Sequence, residues 1–292
     1  MRQEDLAPPT PRPGPRRRSV FAAAALAGVC LTAAGCADDG PGPGAGPASA
    51  SAPASPSAGA SSVKPPPRGP LSGRTVVIDP GHNPGNRDHT REINSKVDIG
   101  TGRKECDTTG TATESGYAEA LFTLDVSRRL RALLEERGAR VVLTQDDDRP
   151  FGPCVDERAR IGNEARADAV VSVHADGSAT GNRGFHVILP AVVDGSGADT
   201  AEIVAPSREL GERIAGNFVR VTGSAPSNYI GGGTGLDTRD DLGGLNLSTV
   251  PKVFVECGNM RDPADAALLT SGSWRQKAAL GIADGVSSYL KR

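Results

Sequence analysis

From residue 74 onward, short runs of consecutive apolar residues alternate with longer stretches in which apolar positions recur every three or four residues. The short runs read as buried strands and the periodic stretches as helices. Arg74–Asp79, built on Val76-Val77-Ile78, is the first predicted strand, and it runs into Pro80-Gly81-His82. Residues 80–116 are polar, rich in Gly, Thr and Asp, and without a sustained period, so a long irregular connection is expected there. Residues 117–137 place Leu121, Leu124, Leu130 and Leu134, with Val126 and Leu133 beside them, on one stripe of a helix that Gly138 would cap. A strand over Ala139–Thr144, a helix over Cys154–Ala165 and a strand over Ala169–Val173 follow. Gly184–Leu189 reads as a strand, Ser207–Val221 as a helix, residues 223–249 as loop, and Val250–Glu256 as the last strand. The stretch Ala191–Ala205 carries no clear helical pattern. Asp262-Pro263-Ala264-Asp265 has the form of a helix start. Ser273-Trp274-Arg275-Gln276 has the spacing of a capping box before a final helix that reaches about Leu290. Strands alternating with helices imply right-handed crossovers and an α/β fold: a mostly parallel twisted sheet with helices on both faces, in one domain.

Composition divides the 292 residues into three parts. Residues 1–36 combine Arg16-Arg17-Arg18, an apolar run from Val20 to Ala34, and Gly35-Cys36. That run is too short to span a bilayer, which takes about 20 residues, and fits an export signal. Arg17-Arg18-Ser19-Val20-Phe21 is loosely similar to a twin-arginine signal. Ala33-Ala34-Gly35-Cys36 resembles the lipobox of bacterial lipoproteins, with Ala33 where leucine is usual, which implies a lipid anchor on Cys36. The alternative is a secreted protein cleaved nearby. Residues 37–70 are almost wholly Pro, Gly, Ala and Ser and are expected to form a disordered tether, because they offer too little apolar surface to offset the entropy of ordering. Residues 71–292 are the folded domain, long enough to bury a substantial core. With aromatics at only 3% of the chain, that core is expected to rest on Val, Leu, Ile and Ala.

The net charge of −2 hides an asymmetry: beyond residue 35 there are 28 Lys and Arg against 33 Asp and Glu. This excludes the basic footprint of a nucleic-acid binder. Cys106 and Cys154 both fall in polar, loop-like stretches of an exported domain, where disulfides persist, and are expected to pair. Cys257, inside an apolar run, is expected to be a buried free thiol.

Three apolar runs end on chemistry: Val76-Val77-Ile78-Asp79-Pro80-Gly81-His82, Ala169-Val170-Val171-Ser172-Val173-His174-Ala175-Asp176, and Val253-Phe254-Val255-Glu256-Cys257-Gly258-Asn259. Glu119 opens the long amphipathic helix between the first two. In an open α/β sheet the carboxyl ends of strands converge on the ligand crevice. A His/Glu/His set suits zinc and leaves a coordination position free, and a spare glutamate beside it is a natural general base. The residues alone therefore read as a zinc hydrolase. Glu114 competes with Glu119 as the third ligand.

Taken in order, these segments, with Glu119-Ala-Leu-Phe-Thr-Leu before the Leu-rich helix, closely resemble the zinc-dependent N-acetylmuramoyl-L-alanine amidases of the amidase-3 family, over nearly all of residues 72–291. The resemblance implies a mostly parallel sheet flanked by helices and cleavage of the amide between N-acetylmuramic acid and L-alanine in peptidoglycan. It further implies one Zn2+ held by His82, Glu119 and His174, and Glu256 as catalytic acid/base. The family's helix register favours Glu119 over Glu114. Partners would be glycan strands and stem peptides, with the membrane reached through Cys36, at the outer face of the cytoplasmic membrane or in the cell wall.

Other residues admit two readings each. His186 either faces the cleft as a substrate contact or points to solvent. Arg239 either binds a stem-peptide carboxylate or forms a surface salt bridge. Asp79 and Asp176 either orient a metal-bound imidazole or shape turns. Residues 85–114 are a candidate lid. Rival functions are a zinc peptidase acting on stem peptides and a catalytically inactive or activator-dependent wall-binding lipoprotein.

Overall fold

The computed structural model describes residues 69–195 and 197–291. Residues 1–68, with the expected export signal, Cys36 and all but the last two residues of the expected tether, lie outside the described residues. Six strands form one sheet: β1 (Thr75–Pro80), β2 (Arg140–Leu143), β3 (Ala169–Asp176), β4 (His186–Pro190), β5 (Leu236–Arg239) and β6 (Lys252–Asn259), in the order β2-β1-β3-β6-β4-β5. Every pairing is parallel except β6 with β4. Five helices flank it: α1 (Glu119–Glu136), α2 (Val155–Glu164), α3 (Ala201–Thr222), α4 (Pro263–Leu269) and α5 (Gly272–Leu290).

Because side chains alternate along a strand, each strand feeds two different environments. Val76, Ile78, Val171, Val173, Val253 and Val255 all enter the main core. There they meet Phe122, Val126, Leu130 and Leu134 of α1, Leu210, Ile214 and Phe218 of α3, and Ile282 and Val286 of α5. The intervening residues Val77 and Val170 belong to a small separate cluster with Ile161 of α2. Past that cluster the same face turns polar towards the strands' carboxyl ends, through Asp79, Ser172, His174 and Glu256. Register lines these residues up: Asp79 pairs with Ser172, Glu256 with His174, and His186 with Glu256.

Four expectations are corrected. Helix α3 starts at Ala201, after Thr200, and contains Pro206, which marks no boundary. Proline removes one intrahelical donor, and burial of Ile203, Leu210 and Ile214 outweighs that loss. Residues 223–249 hold β5, an edge strand whose polar sequence hides it, and a single helical turn at Gly243–Asn246. The cap of α5 is Ser271, whose side chain accepts from the Trp274 N–H, so Ser273 already lies in the helix. Residues 80–116 contain a 3-10 turn at Pro84–Asp88, a helical turn at Thr90–Ile93 and a hairpin pairing Lys96–Asp98 with Arg103–Glu105.

This last segment is a built wall rather than a loose flap. The Cys106–Cys154 disulfide is formed, with an S–S length of 2.03 Å. The Val155 N–H donates to the Cys106 carbonyl at 2.8 Å, and Asn86 Nδ2 donates to the Thr108 carbonyl at 2.7 Å. Cys257 is the buried free thiol.

Candidate metal centre

The end of β1 delivers His82 in the left-handed backbone region, with φ of 61°. Gly81 continues the sheet, its N–H donating to the Val173 carbonyl at 3.0 Å. A Cβ on Gly81 would lie 2.4 Å from the His174 ring, so only glycine lets the imidazole close over the strand end. Gly110 does the same on the other side, where a Cβ would come within 2.7 Å of both His82 and Glu119.

The first turn of α1 reaches the same point. Glu119 is buried, and its Oε1 lies 3.0 Å from His174 Nδ1 and 3.2 Å from His82 Nε2. Its Oε2 accepts from the Thr111 N–H at 2.9 Å. One ligand atom from each of His82, Glu119 and His174 lies within 4.8 Å of the others. Glu114, the rival, is exposed. The two rings meet edge to face at 5.0 Å, and His174 stacks on Phe254 at 5.1 Å. A buried carboxylate shared by two imidazoles is a poor structural device on its own, since one oxygen serves both rings. Two nitrogens and an oxygen around a common point are instead a donor set that fits zinc.

Electrostatics supports that fit. Burial alone would lower the His82 pKa, but the charge of Glu119 and the contact with Asp107 outweigh it and raise the value to about 10. Burial would raise Glu119, yet His82 and His174 hold it well below the carboxylate range. The carboxylate charge beside two imidazole nitrogens is what a divalent cation needs at this point.

Glu256 stands beside the cluster on β6, register partner of His174. Among the described residues its Oε2 is sealed from solvent and accepts no hydrogen bond. Burial, then the charges of Glu119 and Asp176, push its carboxyl well above the ordinary range. Burial and neighbouring negative charge thus favour a proton on Glu256, which suits a group that receives one from water and passes it on.

The remaining residues of interest fall as follows. His186 is buried rather than solvated, 2% exposed, beside Glu256 and edge-on to Tyr229 at 6.1 Å. Burial lowers its pKa, and its Nδ1 has no hydrogen-bond partner among the described residues. Arg239 is gripped by Asp241 through bonds of 2.7 and 2.8 Å. Asp79 touches neither imidazole: it accepts from Thr144, Arg158, Ser172 and Lys252 beneath the site. Asp176 accepts from the Tyr229 hydroxyl at 2.6 Å rather than orienting His174. The group that does face a ligand ring is Asp107, with Oδ1 3.3 Å from His82 Nδ1, next to the Thr108 carbonyl at 3.1 Å.

Sequence reasoning missed Asp107, Arg158, Phe254 and Tyr229. Arg158 alone left a trace: it shares the buried stripe of α2 with Ala159 and Gly162. A cavity of about 210 Å³ adjoins His82, His174 and Phe254. A larger one, about 500 Å³, lies at Trp274 and Arg183, where no such donor set is found.

Comparison with known proteins agrees with this architecture. The amidase-3 family model, described as N-acetylmuramoyl-L-alanine amidase, matches residues 76–288. An N-acetylmuramoyl-L-alanine amidase of Mycobacterium tuberculosis is 42% identical over 221 residues, 75% of this chain and 88% of that protein. The crystal structure of the N-acetylmuramyl-L-alanine amidase Ami1 of Mycobacterium smegmatis superposes with a TM-score of 0.69 at 42% identity, covering 75% of this chain and 98% of that one. Its counterpart from Mycobacterium abscessus gives 0.68 at 42% identity, covering 75% and 100%. With a family match over most of the folded residues and relatives of this identity, the chain belongs to the N-acetylmuramoyl-L-alanine amidase family.

Proposed function

We propose that this protein is a zinc-dependent amidase that hydrolyses the bond between N-acetylmuramic acid and the L-alanine of the peptidoglycan stem. His82, Glu119 and His174 hold the metal, and Glu256 is the catalytic acid/base. The observation that carries the reading is a pair of facts about one spot. Three donor atoms converge within 4.8 Å, and beside them, on the register partner of His174, stands a carboxyl with an unpartnered buried oxygen.

A bound zinc ion supplies Lewis acidity, polarising an amide carbonyl and acidifying water. The chain's own residues do the rest. Glu256 takes a proton from the attacking water and hands it to the departing alanine nitrogen, a role its proton affinity suits. Phe254 fixes the plane of the His174 ring by stacking on it. The wall of residues 106–110, closed by the Cys106–Cys154 disulfide, excludes bulk water on the His82 side. His186 and Arg239, near Glu256 and at the end of β5, are the candidate contacts for substrate.

The decisive experiment is mass spectrometry of purified peptidoglycan treated with the zinc-loaded protein, beside a Glu256→Gln control. Free stem peptides beginning at L-alanine, absent from the control, support the proposal. Intact muramyl–alanine bonds with zinc bound would sink it and favour an inactive or activator-dependent wall binder. Cleavage within the stem would favour a peptidase.

The leader adds a location. A lipid on Cys36 and the stalk of residues 37–70 would hold the enzyme at the outer face of the cytoplasmic membrane, within reach of the wall. Cys36→Ala should release the protein from the membrane fraction. Unchanged fractionation would leave the secreted form as the better reading.

A further inference from the structure

Arg158, on α2, is a buried charged residue, 4% exposed, and each nitrogen of its guanidinium is engaged. Nε donates to the Pro153 carbonyl at 2.8 Å. One terminal nitrogen donates to Asp79 Oδ1 at 2.8 Å and to the Pro80 carbonyl at 2.6 Å. The other donates to the His82 carbonyl at 2.9 Å and to Asp107 Oδ2 at 2.8 Å. The two turn carbonyls belong to the residues on either side of Gly81. The guanidinium therefore grips the turn that presents His82 in its left-handed conformation, which a residue other than glycine holds only when its surroundings over-determine it.

The same guanidinium reaches His82 by a second path. Asp107, fixed through Oδ2 by Arg158, turns Oδ1 to His82 Nδ1 at 3.3 Å. The Thr108 carbonyl, 3.1 Å from that nitrogen, can only accept. These two acceptors require the proton on Nδ1, and the Thr108 hydroxyl, 3.2 Å from that nitrogen, can accept from it as well, which leaves the Nε2 lone pair directed at Glu119 and the metal position.

We propose that Arg158 is a positioning residue for His82: it sets the ligand's backbone and, through Asp107, commits its imidazole to zinc binding by Nε2. The proposal rests on the zinc reading given above. A planar fork is needed because the acceptors lie on different sides of it, and a lysine ammonium, a point donor, cannot span them. The disulfide contributes by placing Cys106 beside Asp107 and Cys154 at the start of the helix that bears Arg158.

The test is zinc affinity of the full chain, measured by competition with a chromophoric chelator, for wild type, Arg158→Lys, Asp107→Asn and the exposed neighbour Arg160→Lys. Cooperative unfolding of each metal-free protein is followed alongside. Arg158→Lys should fold and bind zinc about 10- to 100-fold more weakly. Asp107→Asn should show a smaller loss and Arg160→Lys none. The imidazole nitrogen resonances of the zinc-loaded wild type should show His82 protonated at Nδ1. Folded Arg158→Lys with wild-type affinity would overturn the proposal. If that variant does not fold, unchanged affinity in Asp107→Asn, or a His82 proton on Nε2, would overturn it. A wild type that binds no zinc would defeat the metal reading itself, a result separable from any difference between variants.

Discussion

The two faces of the central sheet are made by the same strands and have opposite characters. Under α1, α3 and α5 the inward residues are uniformly apolar: Val76 and Ile78, Val171 and Val173, Val253 and Val255. One position along, the other face begins apolar with Val77 and Val170 and then becomes a buried ionic layer and the row of candidate site residues. The difference shows how a sheet carries a charged site without losing its foundation. Non-directional burial on one side supplies stability, and the other side is free to hold Asp79, Lys252 and Arg158, whose desolvation cost is offset by the ion pairs each cation makes with Asp79 and by the pairing of Arg158 with Asp107. Lys252 illustrates the extreme: it is fully buried, held at 3.2 Å from Asp79, and lies over the Phe254 ring that in turn stacks on His174.

The contrast can be broken most severely at the polar face. Stripping the metal with a chelator should abolish amide cleavage while the apolar face keeps the protein folded; residual turnover in metal-free protein would remove zinc from the account. Glu256→Gln should lower kcat by about 10²- to 10⁴-fold, the usual contribution of a general base, with zinc affinity unchanged. If zinc affinity fell in parallel, Glu256 would be a ligand rather than a base.

Stability tests separate the layers further. Asp79→Asn removes the carboxylate paired with Lys252 and one of the two paired with Arg158, and should cost about 3–5 kcal/mol in denaturant unfolding at neutral pH. The sign with pH follows from its depressed pKa. Burial would raise it, but Lys252 and Arg158 together pull it far below 3.8. The native charge therefore contributes stability above the ordinary value, and that contribution is lost as the pH falls below 3.8 towards the folded value. The gap between wild type and Asp79→Asn should narrow over that window, and a gap constant from pH 7 to pH 3 would show the charge to be irrelevant. On the apolar face, Leu130→Ala should cost about 2–5 kcal/mol and leave zinc affinity untouched. A matching loss of zinc binding would mean that the two faces are not independent.

Much of this was legible in the chain. Unbroken apolar runs predicted β1, β3 and β6 because buried parallel strands need no alternation, and the long stripe of α1 predicted its packing. His82, His174 and Glu256 stood out because each closes an apolar run, and Glu119 because it opens the stripe of α1. The polar edge strand Leu236–Arg239 did not, since a strand paired on one side has little hydrophobic signature. Pro206 concealed the first turns of α3 because local propensity is a weak force beside tertiary burial.

What the sequence by itself determined was the apolar strands and main helices, the residue types at their ends and the two cysteines that join. Those follow from periodicity and residue type, which are local properties. Only the tertiary structure decided which acids serve which histidines. Asp79, three residues from His82, turns away to Arg158 and Lys252, whereas Asp107, from a remote wall, faces the imidazole. Side chains alternate along a strand, so nearness in the chain puts Asp79 beneath the site, and long-range packing through Arg158 brings Asp107 to it.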